Sequence, residues 1–174
     1  MQYTAYIGST LHIIGDDTEM KDYDSHEFTA LVEISRLANS LQNVMDMGMD
    51  DITSRQWLPL MILGRCETAP NLNQLAERCG ITRQSAKQLV DKLSEKGFVT
   101  VEKSGNDKRS IVIVITEKGR SWGAQNLERN VSFVRELFDG IPKEDIRTFA
   151  EVQQMLIQKL VKLKEQLRSE AGCE

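Results

Sequence analysis

Residues 71–99 read NLNQLAERCGITRQSAKQLVDKLSEKGFV. Asn71 and a glutamine three residues later have the spacing of a capping box, which predicts that a helix begins here. Gly80 supplies a turn after this helix, and Thr82 is a favourable N-cap for a second one. Gly97 is placed to end the second helix in the left-handed conformation. Two short helices joined by a tight turn are typical of a helix-turn-helix.

A β-hairpin is predicted directly after these helices. Residues 98–101 and 111–115 are rich in β-branched and aromatic side chains, which favour strands. The segment between them opens with turn-forming residue types at positions 104–107. A hairpin in this position makes the arrangement a winged helix-turn-helix.

Longer helical patterns lie on both sides of this unit. Apolar residues recur every three or four positions over residues 28–45, and another capping box starts at Thr53. After the hairpin, residues 116–137 are predicted to form one helix, and a long final helix follows a break at Gly140. The expected fold class is therefore mainly α with a small β-hairpin wing, in which terminal helices flank the winged helix-turn-helix.

The 174 residues suffice for one compact domain with extensions. An N-terminal arm of unknown role is expected at residues 1–22, followed by a dimerisation helix at 23–50. The winged helix-turn-helix DNA-binding domain is expected at 51–118, and C-terminal dimerisation helices at 119–174.

Charge is unevenly distributed along the chain. The net charge of −4 argues by itself against a polyanionic partner. Residues 1–60, however, carry 3 basic and 10 acidic side chains, whereas residues 81–120 carry 9 basic and 5 acidic ones. The part of the chain that contains the second helix and the hairpin is thus the part suited to double-stranded DNA.

The second helix carries side chains that suit base recognition. Arginine reads guanine and glutamine reads adenine through paired hydrogen bonds, and the start of a recognition helix normally enters the major groove. A hydroxyl group and a helix N-terminus suit phosphate contacts. The predicted DNA-binding residues of this helix are Thr82, Arg83, Gln84, Ser85, Lys87 and Gln88.

The tip of the hairpin is a second candidate contact with DNA. Lys108 and Arg109 are cations at the end of the wing, where an arginine side chain can enter the minor groove. Asp107 would repel DNA by itself, so we expect it to orient Arg109 through an ion pair.

These segments resemble the MarR (multiple antibiotic resistance regulator) family. Residues 71–99 are similar to the helix-turn-helix of that family. The sequence DKRSIVIVITEKG at residues 107–119 resembles its wing motif, D-x-R followed by a strand that ends in L-T-x-x-G, and Asp107 and Arg109 correspond to the signature residues. Lys87 departs from the family, which often has a small hydroxyl residue at this position.

The resemblance implies a homodimer that pairs through its terminal helices and binds a pseudo-palindromic operator. It also implies a repressor that a small aromatic or anionic effector releases from DNA. By the same resemblance, the effector pocket is expected between the first two helices and the fifth.

Other classes of function are disfavoured. The sequence contains no glycine-rich phosphate loop, nucleophile elbow or paired histidine and carboxylate, so we expect neither an enzyme nor a cofactor. The three cysteines are far apart and lack a histidine cluster, so no metal site is expected. The sequence contains no run of about 20 apolar residues. The first 20 residues lack the pattern of a secretory signal, and we expect a cytoplasmic protein without a membrane partner.

Two alternatives stay open. A winged helix can also dock another protein without reading DNA. A regulator of this kind can also respond to oxidants through Cys66, Cys79 or Cys173, although free cysteines near apolar helix ends are more often small buried residues.

Overall fold

The computed structural model describes residues 26–103 and 111–171. The elements, in chain order, are α1 (His26–Met47), α2 (Ser54–Gly64), α3 (Leu72–Arg78), α4 (Arg83–Glu95), β1 (Val99–Lys103), β2 (Ile111–Ile115), α5 (Glu117–Gln125), α6 (Leu127–Leu137) and α7 (Lys143–Ala171). The chain divides into two compact units, of which the first ends at Ser121 and the second begins at Trp122. The mainly α fold class with a small hairpin is confirmed.

Hydrogen bonds from side chains set the starts of α2, α3 and α4. Thr53 and Asn71 each form a complete capping box with the glutamine three residues later. Thr82 Oγ1 accepts a hydrogen bond from the backbone N–H of Ser85 at 3.1 Å and thereby caps α4. These caps satisfy N–H groups that have no partner inside their own helix. All three predicted helix starts are confirmed.

Two glycines allow the chain to turn at the ends of α3 and α4. Gly80 has a φ of 67° and Gly97 a φ of 75°, which are left-handed conformations that residues with a Cβ rarely adopt. The chain reverses tightly after each helix, since the N–H of Ile81 bonds to the carbonyl of Ala76 at 3.0 Å and the N–H of Phe98 bonds to the carbonyl of Leu93 at 2.9 Å. The predicted left-handed end of α4 at Gly97 is therefore confirmed.

The core of the first unit joins the helix-turn-helix to the hairpin. Leu60 of α2, Leu75 of α3 and Leu93 of α4 have no exposed surface. Ile113 of β2 is also buried, and its backbone N–H donates to the Pro70 carbonyl at 2.9 Å. Each fully buried leucine contributes about 1.5–3 kcal/mol relative to an exposed one. The hairpin and helices α2 and α3 therefore hold α4 in one position.

The hairpin is antiparallel and joins α5 through a tight junction. Val99 pairs with Ile115 at its base and Lys103 pairs with Ile111 at its far end. Thr116 follows β2, and its Oγ1 donates to the Gly97 carbonyl at 2.7 Å. The same oxygen accepts the N–H of the residue three positions later at 3.1 Å and thereby caps α5.

Residues 116–137 do not form the single helix predicted from their apolar spacing. Asn126 separates α5 from α6, with φ −96° and ψ 3°. Its side-chain Nδ2 donates to the Trp122 carbonyl at 2.8 Å. A side-chain amide that bonds to the local backbone offers the chain an alternative to regular helix, which accounts for the interruption.

The second unit carries the long helix α7 after a turn at Gly140, where φ is 74°. The predicted break at this glycine is thus confirmed. Within residues 26–103 and 111–171, no helix combines the length and the apolar character required to cross a membrane.

Candidate nucleic-acid interface

Helix α4 has one buried face and a broad exposed polar surface. Its buried residues are Ala86, Val90 and Leu93, which recur at helical spacing. Four of the predicted DNA-binding residues occupy exposed positions on the remaining surface: Arg83, Gln84, Lys87 and Gln88. The packing of the inner face therefore presents these side chains outward together.

The start of α4 is fixed by a pair of hydroxyl groups. Thr82 is exposed and Ser85 is partly buried, and their side-chain oxygens lie 2.9 Å apart. The sequence pointed to Ser85 as a phosphate contact and to Thr82 as the N-cap and a DNA-binding residue. The structure confirms the cap, in which the backbone N–H of Ser85 donates to Thr82 Oγ1. The positive end of the helix dipole lies here and suits an anionic group.

An ion pair lies on the polar surface of α4. Lys87 Nζ is 2.7 Å from Asp91 Oδ2, one helical turn further along. Sequence reasoning named Lys87 and missed Asp91, although a spacing of four residues is the usual signal for such a pair. Lys87 therefore faces a carboxylate in the structure without DNA.

Two lysines anchor the C-terminal end of α4 within the first unit. Lys96 Nζ donates to the Asp51 carbonyl at 2.7 Å and to Gln56 Oε1 at 3.2 Å. Lys118 Nζ donates to the Lys96 carbonyl at 2.7 Å and lies 4.8 Å from the centroid of the Phe98 ring. Cations are favourable at a helix C-terminus, where carbonyl groups lack partners. These contacts hold α4 against its surroundings.

The tip of the wing lies outside the described residues. The predicted contacts of Lys108 and Arg109 with DNA, and the predicted orienting role of Asp107, therefore stay predictions. The strands that lead to this tip end with the pair Lys103 and Ile111.

Cys66 and Cys79 are partly buried free thiols. Arg78 Nη1 donates to Cys66 Sγ at 2.9 Å, and the Cys66 thiol donates to the Ile62 carbonyl at 3.2 Å. Burial, with a smaller effect of the nearby Cys66, raises the pKa of the Cys79 thiol to about 11. Cys79 is therefore protonated at neutral pH. In the described ranges, no group of three or more candidate metal ligands occurs.

A cavity of about 640 Å³ opens between α1, α2 and α4. Arg55 and Lys92 supply cationic groups to its lining, and Ser54 also lines it. The Ser54 hydroxyl is buried and has no hydrogen-bond partner in the described part of the chain. The sequence-based hypothesis placed a pocket between the first two helices and the fifth, so this cavity differs from it in having α4 as a wall.

Comparison with known proteins connects this arrangement to a family. Residues 50–110, which include α2, the helix-turn-helix and β1 but end before β2, match the model of the MarR family. This segment is similar to the DNA-binding domain of the MarR family. This match confirms the family resemblance over residues 71–99 and over the start of the wing motif, which includes Asp107 and Arg109.

The MarR-type fold extends beyond that segment. A MarR/EmrR family transcriptional regulator from Acinetobacter sp. ADP1 has a TM-score of 0.71 at 18% identity, over 79% of this chain and 99% of that one. A MarR transcriptional regulator from Methanosarcina mazei Go1 has a TM-score of 0.66 at 23% identity, over 79% and 99%. CouR from Rhodococcus jostii RHA1, solved with bound p-coumaroyl-CoA, has a TM-score of 0.65 at 21% identity, over 71% and 88%.

Proposed function

We propose that this protein is a sequence-specific DNA-binding transcriptional regulator of the MarR type. In this proposal it binds a pseudo-palindromic operator as a homodimer in the cytoplasm, represses transcription and is released by a small effector. The observation that carries the proposal is the exposed polar surface of α4 on a helix that caps and core packing hold in place. Fixed recognition groups lose little conformational entropy on binding.

Apolar stripes on the terminal helices support the homodimer. Four large apolar residues of α6 recur at helical spacing and are 45–61% exposed: Leu127, Val131, Val134 and Leu137. Helix α7 exposes a longer stripe: Phe149, Val152, Leu156, Leu160, Leu163 and Leu167. Exposed apolar surface of this extent is typical of an interaction site. A second copy supplies a matching stripe and places two α4 helices in successive major grooves.

The cavity beside α4 supports release by an effector. Two cations in the lining, Arg55 and Lys92, outnumber its one carboxylate, Asp46, and this excess favours an anionic ligand. Helix α4 forms one wall. A ligand bound to the folded state raises the melting temperature, so a thermal-shift screen of aromatic carboxylates tests this part of the proposal. A screen without a shift, at concentrations that shift a reference regulator, would count against an effector of this class.

Selection of bound sequences from a random duplex pool, at two salt concentrations, tests DNA recognition. The proposal expects recovery of an inverted repeat and weaker binding at the higher salt, because phosphate contacts release counterions. It also expects weaker binding by Arg109→Ala. Absence of enrichment, with binding indifferent to Arg109, would favour a protein-interaction module instead.

The high pKa of the Cys79 thiol disfavours oxidant sensing at this residue, since the thiolate is the reactive form. We expect peroxide to leave operator affinity unchanged. A loss of affinity that Cys66→Ser or Cys79→Ser abolishes would establish the redox alternative.

A further inference from the structure

Asp91 places a carboxylate within the surface that α4 offers to DNA. It follows Gln84 by seven residues and Gln88 by three, and two turns of an α-helix span about seven residues. Asp91 therefore lies in line with Gln84, and all three side chains are exposed. A carboxylate in this position is repelled by the phosphates that border the groove.

The carboxylate is paired with one particular cation. The Lys87 and Asp91 side chains are 65% and 52% exposed, so both are accessible to a duplex while their charged atoms lie 2.7 Å apart. Arg83 and Lys92 of the same helix form no ion pair with any residue in the described ranges. Asp91 therefore neutralises the positive charge of Lys87 and leaves the charges of Arg83 and Lys92 unpaired among the described residues.

We propose that Asp91 is a specificity-determining residue of α4, which neutralises Lys87 and so limits binding to DNA of arbitrary sequence. This inference rests on the proposed function. Affinity for arbitrary DNA comes almost entirely from phosphate contacts, whereas affinity for an operator also includes base contacts. On arbitrary DNA an unpaired Lys87 can reach whichever phosphate is nearest, whereas base contacts hold α4 in one register on an operator. Neutralising this cation therefore lowers the affinity for arbitrary DNA by a larger factor than the affinity for the operator.

The test compares Asp91→Asn with Glu95→Gln by fluorescence anisotropy on a labelled mixed-sequence duplex. Both variants remove one negative charge from an exposed position of α4, and Glu95 forms no ion pair with any described residue. Asp91→Asn is expected to bind the mixed duplex about three- to tenfold more tightly, with a salt slope steeper by about 0.9. Glu95→Gln is expected to change this affinity by less than about twofold.

The operator duplex recovered by selection completes the test. Asp91→Asn is expected to bind it with a smaller gain, so the ratio of operator to mixed-sequence affinity falls. In a Lys87→Gln background, Asp91→Asn is expected to bring no further gain, since the cation that it would release is missing. Thermal melting of each variant checks that it is folded.

Two results would overturn the inference while the proposed function stands. In the first, the wild-type protein binds both duplexes, and Asp91→Asn and Glu95→Gln have the same affinity for the mixed-sequence duplex. The other is a gain that persists in the Lys87→Gln background, which would show an effect of net charge alone. Failure of the wild-type protein to bind either duplex would instead overturn the proposed function, and the inference with it.

Discussion

Gly119 occupies a position where the chain leaves no room for a side chain. A Cβ at this residue would lie 2.4 Å from the Phe98 carbonyl oxygen and 2.7 Å from Ile115 Cγ1. The carbonyl belongs to the backbone that joins α4 to β1, so a shift of this oxygen would distort that connection and cost free energy. The glycine of the wing motif is therefore explained by packing between α5 and the base of the hairpin.

We predict that Gly119→Ala lowers the free energy of unfolding by about 1–3 kcal/mol, as overpacking usually does. Urea denaturation measures this change. Gly64→Ala is the matched control, because a Cβ there meets no atom within 4 Å. Equal stability of the two variants would contradict the packing explanation.

The Cys79 thiol makes the free energy of unfolding depend on pH in the alkaline range. Its pKa rises from an ordinary value of 9.0 to about 11, chiefly because the group is partly buried. Between these values the unfolded chain releases the proton while the folded protein keeps it. The free energy of unfolding therefore falls as the pH rises from about 9 to about 11.

We predict that Cys79→Ala flattens this alkaline loss of stability. The effect is modest, since solvent reaches part of the thiol. Urea denaturation of both proteins from about pH 8 to about pH 10 measures the two slopes. Parallel slopes would show that the thiol is not perturbed as the structure indicates.

At the scale of single elements, helix starts were predictable because a few adjacent residues determine them. The capping boxes at Thr53 and Asn71 involve only residues three positions apart. The interruption at Asn126 was missed, since apolar spacing is the same on both sides of it. Asn126 acts through a side-chain bond to the Trp122 carbonyl, and an apolar pattern carries no sign of that bond.

The N-cap of α4 is an element-scale determinant of both stability and DNA binding. We predict that Thr82→Ala destabilises the protein by about 1 kcal/mol, because the N–H of Ser85 loses its acceptor. Operator affinity should fall as well, since the first turn of α4 loses its fixed geometry. Chemical denaturation and anisotropy titration measure the two effects.

Ser94→Ala is the matched control for this prediction. Ser94 is an exposed residue of the same helix, and alanine is a better helix former. The control should therefore be neutral or slightly stabilising. A Thr82→Ala variant that behaves in the same way would mean that the cap contributes little.

At the scale of the whole molecule, sequence patterns predicted the binding surfaces and their classes of partner, but neither the operator nor the effector. The exposed stripe of α7 follows from apolar periodicity alone. The cavity lined by Arg55 and Lys92 was not predictable in position, because it depends on how α1, α2 and α4 pack. The ion pair between Lys87 and Asp91 was missed from the sequence, although the four-residue spacing permits it, and the 2.7 Å contact in the structure establishes it.

We predict that Leu160→Glu combined with Leu163→Glu produces a monomer with much weaker operator binding. Both leucines are more than half exposed, so the substitutions should leave the stability of the single chain nearly unchanged. Light scattering after gel filtration measures the mass. Gln158→Glu, on the opposite side of α7, should stay dimeric. A double variant that remains dimeric would place the interface elsewhere.

Repeating the DNA selection with Arg83→Gln tests most directly whether α4 reads bases. Arginine pairs with guanine and glutamine with adenine, so the recovered inverted repeat should change at one position in each half-site, symmetrically about its centre. Recovery of the wild-type sequence unchanged, by a variant that still binds tightly, would contradict base reading by this surface of α4.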